Sequence, residues 1–158
     1  MTDTSLDLDI TRVFDAPGDL VFKAWTDSEW GKEWSAPNGF TVPVSEGDLR
    51  VGGAWRLCMR RPAADDLWVG GVYREIVVPE RLVFTHAWED AQGTPGHETL
   101  VTVTLTQRGR KTEMRFRQTG FDSVESRDGH QEGWSECFDK LERLLSTSRA
   151  PYRSRAGS

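Results

Sequence analysis

The chain lacks most of the features that would point to a particular chemistry. It has only two cysteines, Cys58 and Cys137, and three histidines, His86, His97 and His130, none of them paired. No C-x-x-C or H-x-x-x-H spacing sets two ligands on one metal, so no metal and no cofactor is expected. A G-x-S-x-G nucleophile elbow and a glycine-rich phosphate loop are both missing. No apolar run approaches membrane-spanning length, which argues against membrane insertion. The opening residues Met1-Thr2-Asp3-Thr4-Ser5 lack the basic and apolar regions of a secretion signal. A cytoplasmic location is therefore expected, with both thiols reduced in the core rather than joined. Positive charge is also scarce: 20 Lys and Arg stand against 25 Asp and Glu, a net charge of −5. The body of the chain has no basic cluster of the kind phosphate binding needs, which excludes nucleic acid as a partner.

What the chain does have is tryptophan. Seven indoles, at 25, 30, 34, 55, 68, 88 and 134, are spread over 158 residues. A chain of this length reads as one domain with a real core. Each indole brings a large apolar area and a single donor, which suits either a filled core or an aromatic-walled pocket.

Periodicity orders the rest. Leu6, Leu8 and Ile10 alternate with polar residues as a half-buried strand,. Pro17 can open a first helix carrying Leu20, Val21, Ala24 and Trp25,. Ser28 can cap a second, short helix with Trp30 and Trp34,. From Phe40 to Thr119 the period is two, over six further strands separated by turn signals,. Pro43 suits an edge strand, and Gly70-Gly71 suggests a bulge or a close backbone approach,. The period then returns to that of a helix. His130, Trp134, Cys137, Phe138, Leu141 and Leu145 share one face of a long helix over Asp128–Leu145,. Asp122 with Glu125, or Asp128 with Gln131, could form its N-terminal box,. Short turns between strands imply an antiparallel meander, and only the last helix is long enough to cover its apolar face.

The segment Ile10-Thr11-Arg12-Val13-Phe14-Asp15-Ala16-Pro17, followed by Val21 to Asp27, resembles the opening of the START-type helix-grip superfamily, also called SRPBCC. Gly52-Gly53-Ala54-Trp55, Gly71 to Ile76, Pro79 to Thr85, and Gly133-Trp134 with Leu141-Glu142 resemble its AHSA-type branch, named for homology to an activator of a heat-shock chaperone ATPase. The resemblance implies an α+β helix-grip fold: a curved antiparallel sheet of about seven strands wrapped around a long C-terminal helix, with two short helices between strands 1 and 2. It implies one domain over residues 6–146, with flexible ends at 1–5 and 147–158. It also implies a deep cavity between sheet and helix that takes hydrophobic small molecules.

Combined with the aromatic pattern, this places a ligand site at Trp25, Trp34, Trp55, Leu57, Met59, Phe84, His86, Trp88, Phe116, Gln118, His130, Trp134 and Phe138. The expected guest is an aromatic or polyketide-like molecule. His86 and His130 are the catalytic candidates if the protein is instead a cyclase, hydrolase or isomerase, since an imidazole in an apolar cavity can shuttle a proton. Gln118 would then be an orienting donor. The alternative for each histidine is a buried ring that only orients its neighbours. His97 belongs to a solvated loop. A chaperone-regulating module and a self-sacrificing resistance protein are further readings that the resemblance allows. The strand edges could pair into a homodimer.

Overall fold

A computed structural model describes residues 6–156, with side chains described for 6–146. The expected flexible ends, 1–5 and 147–158, lie outside the residues whose side chains are described. The elements run β1 (Leu8–Phe14), α1 (Gly18–Thr26), α2 (Ser28–Trp34), β2 (Thr41–Gly47), β3 (Ala54–Arg60), β4 (Leu67–Val77), β5 (Arg81–Trp88), β6 (Thr99–Arg108), β7 (Lys111–Thr119) and α3 (Val124–Ala156). The strands form one curled antiparallel sheet in the order β1-β7-β6-β5-β4-β3-β2. The helix-grip expectation holds.

The register shows which residues share the inner face. Ile10, Phe116, Val103, Leu82 and Ile76 are cross-strand partners in one row. Leu8, Gln118, Val101, Phe84 and Tyr73 form the next. α3 crosses this face and buries Cys137, Phe138, Leu141 and Leu145 against it. Arg12 fastens the helix to the edge strand β1. Its guanidinium donates to the Ser135 carbonyl oxygen (3.1 Å), pairs with Asp139 (3.0 Å) and lies over the Phe138 ring. Both cysteines are free and buried, and burial pushes the Cys137 thiol up to about 12, where it is an inert core group,.

Local details differ from the expectations by small shifts. Asp27, not Ser28, caps α2, its carboxylate accepting from the amides of Glu29 and Trp30,. Neither expected box opens α3. The hydroxyl of Ser123 accepts from the Ser126 amide instead, which brings the helix start forward to Val124. Pro43 does lie in an edge strand, β2, where the pairing with β3 shifts register between Thr41 and Val44,. Gly70-Gly71 does mark a close approach: a Cβ on Gly71 would stand 1.9 Å from the Thr85 carbonyl oxygen. That oxygen accepts from the Trp55 indole (3.1 Å), while the Thr85 hydroxyl takes the Val72 amide (2.8 Å). The missing Cβ therefore lets β4 fold tightly onto β5, next to His86.

Candidate functional site

Between the inner face of the sheet and the first half of α3 lies a cavity of about 380 Å³, within the size range of small-molecule sites. The helices α1 and α2 supply Trp25 and Trp34 to its wall, and β3 supplies Trp55, Leu57 and Met59. Phe84, His86 and Trp88 come from β5, and His130 and Trp134 from α3. The strand pattern explains this convergence. Alternate residues of β5 point inward at the centre of a curled sheet, so three successive inward positions face the helix.

Phe116, Gln118 and Phe138 do not line the cavity. They are fully buried behind it. Phe116 lies 4.6 Å from the Trp134 ring and Phe138 5.6 Å from it. Gln118 accepts from the Trp134 indole at 2.8 Å and donates to the Thr99 hydroxyl at 2.8 Å, which in turn donates to the His86 carbonyl oxygen. Its amide is consumed in holding the Trp134 indole and the Thr99 hydroxyl, so it is not the expected orienting donor in the cavity.

The two inner histidines differ in state. Trp88 donates to His130 Nε2 at 2.9 Å, so that nitrogen is the acceptor and Nδ1 carries the proton,. Nδ1 then donates to the Ser126 carbonyl oxygen at 2.7 Å. Both nitrogens of His130 are therefore engaged, and the ring joins β5 to α3. His86 is 5% exposed. Its ring is boxed by Trp55, Trp88, Trp134 and His130 at centroid distances of 5.7–6.1 Å. Its hydrogen bond is to its own backbone rather than to another side chain among the described residues. Burial, and secondarily the neighbouring His130, lower its pKa to about 3,. It is a neutral imidazole at any ordinary pH. His97 is exposed, with its Nε2 against the Gly120 carbonyl oxygen, apart from the cavity.

Sequence reasoning missed Tyr73. Its ring is buried against Phe84, it lines the cavity, and burial raises the pKa of its hydroxyl. The signal in the sequence was its two-residue spacing from Gly71 along the strand,; the structure then sets it opposite Phe84. It also missed the mouth. Glu46, Glu125 and Gly129 are cavity-lining residues that are exposed. A Cβ on Gly129 would meet nothing within 4 Å, whereas one on Gly133 would touch Pro37. The first helix glycine therefore keeps the mouth wide, and the second lets the α2–β2 loop pass close to α3.

Known proteins with this arrangement are similar along most of their length. A Silicibacter pomeroyi protein described as AHSA1 is 25% identical with a TM-score of 0.81, over 90% of this chain and 99% of that one. A Chromobacterium violaceum protein is 26% identical with a TM-score of 0.79, over 88% of this chain and 96% of that one. One from Arthrobacter aurescens is 26% identical with a TM-score of 0.80, over 93% and 90%. No curated protein matches the chain. The family profile described as Activator of Hsp90 ATPase homolog 1-like protein matches residues 15–146. With that match over most of its length and the sheet, helix and cavity described above, the chain belongs to the Activator of Hsp90 ATPase homolog 1-like family.

Proposed function

We propose that the protein binds a flat, hydrophobic aromatic small molecule, polyketide-like in outline, between the sheet and α3. The observation that carries this reading is the composition of the cavity. Five indoles and Phe84 wall a space of about 380 Å³, and the indole N–H of one of them, Trp25, is buried with no acceptor among the described residues. Flat apolar rings gain both area and ring geometry from such walls. A buried donor is costly until something accepts from it, and a carbonyl or hydroxyl oxygen on the guest would do so.

Acid–base catalysis is less well supported. His130 has no free nitrogen. His86, held neutral with a pKa of about 3, is too weak a base to take a proton efficiently near pH 7. It can orient a guest without reacting with it.

The test is a titration with a flavone, read by tryptophan emission. Saturable quenching is expected in the native protein and in Gly129→Ala, which should also gain about 1 kcal/mol of stability from helix propensity. Gly129→Phe, which puts a ring into the mouth, should weaken binding at least severalfold while remaining folded. Quenching that never saturates, or binding unchanged by the phenylalanine, would place the probe elsewhere.

A further inference from the structure

The charges around the cavity are one-sided. Asp27, Glu46 and Glu125 line it, against one cation, Arg56. Arg56 is already committed: both its Nε and Nη2 donate to Glu89 at 2.8 Å, and it stacks 3.9 Å over the Trp68 ring. Glu46 is its cross-strand neighbour, so this single guanidinium stands between two carboxylates. Asp27 is occupied in part as the cap of α2. Glu125 stands in the first turn of α3, where the helix dipole favours a carboxylate,. Neither Glu46 nor Glu125 forms an ion pair among the described residues. Inside, the buried polar rings that line the space, His86 and Tyr73, are uncharged. An anion entering this site would find carboxylates at the mouth and no free cation among the described residues that line it.

We infer that the guest is a positively charged aromatic amine, its ring among the indoles and its charge in the field of Glu46 and Glu125. The inference rests on the ligand-binding reading and narrows it. Indole faces attract a cation through the ring quadrupole, and more strongly where water is excluded. The mouth carboxylates raise the local concentration of cations and repel acids. A protonated amine also carries N–H donors, which the neutral ring of His86 can accept.

Three naphthalenes that differ only in their side group give the test: 1-naphthylmethylamine, 1-naphthalenemethanol and 1-naphthoic acid, titrated calorimetrically at pH 7 in low salt. The amine should bind tightest and the acid weakest, about tenfold apart, with the gap narrowing as salt is raised. The double variant Glu46→Gln/Glu125→Gln should weaken the amine several-fold and leave the alcohol unchanged. An acid that binds as well as the amine, or an amine preference that survives both substitutions and high salt, overturns the charge assignment while leaving ligand binding intact. Absence of binding by all three, together with an unquenched flavone titration, overturns both.

Discussion

Replacing Trp134 with alanine is expected to lower stability by about 3–5 kcal/mol, the range for removing a large aromatic from a packed site, and to abolish saturable quenching by an aromatic guest. The indole packs on Phe116 and Phe138 and is also near Trp25 and His86. Its removal enlarges the cavity on the side where it meets the core. It also strands the Gln118 carbonyl oxygen, which is fully buried and accepts from that indole. A buried acceptor left without a donor costs about 1–3 kcal/mol on its own. For a domain of this size the thermal midpoint should fall by roughly 10 °C. Trp134→Phe keeps the ring and loses only the donor, so it should fall between. Adding Gln118→Leu to Trp134→Ala should recover part of the loss, because the stranded group goes with it. A Trp134→Ala protein as stable as the native one would mean that the helix does not rest on the sheet through this ring.

Acid should destabilise the fold through His86. The folded ring has a pKa of about 3, against 6.5 for an ordinary histidine. Between those values the unfolded chain binds a proton that the folded chain refuses. Stability therefore rises with pH across that window. The contribution is complete above about pH 6.5 and is lost as pH falls towards 3, with a slope approaching about 1.4 kcal/mol per pH unit. Carboxylates held low by arginine, such as Glu89 beside Arg56, push in the same direction at the acid end. The difference between native and His86→Phe proteins isolates the histidine. Denaturant unfolding at a series of pH values should show the variant losing less stability than the native protein between pH 6.5 and 4. Parallel curves for the two proteins would show that the ring reaches water or a partner that protects its charge.

Much of this architecture was legible in the sequence because sheets and helices write their period into the chain. The alternation of Phe84, His86 and Trp88 placed three side chains on one face of β5, and all three reach the cavity. The Gly70-Gly71 pair announced a close approach, and Thr85 supplies it. Periodicity gives the face a residue occupies, not its depth behind that face. Phe116 and Phe138 share the correct faces yet stand one layer too deep, screened by Trp25 and Trp134. Gln118 shares the inward face of β7 with Phe116, and nothing local shows that its amide is already engaged. Its burial depends on Trp134 and Thr99, sixteen and nineteen residues away. The pairing of Trp88 with His130 spans forty-two residues, and no local pattern encodes it. The caps shifted by one to a few residues because Asp27 and Ser123 compete with nearby residues of equal capping ability,.

The seven indole N–H groups give the most direct test of whether a guest sits between sheet and helix. Each should contribute one signal to a nitrogen–proton correlation spectrum, assignable by substitution. Trp25, Trp34, Trp55, Trp88 and Trp134 line the cavity, whereas Trp30 lies beneath Lys23 and Trp68 beneath Arg56. On titration with an aromatic ligand the first five signals should move together and saturate, while those of Trp30 and Trp68 stay in place. Movement confined to Trp30 or Trp68, with the cavity indoles unmoved, would contradict the account.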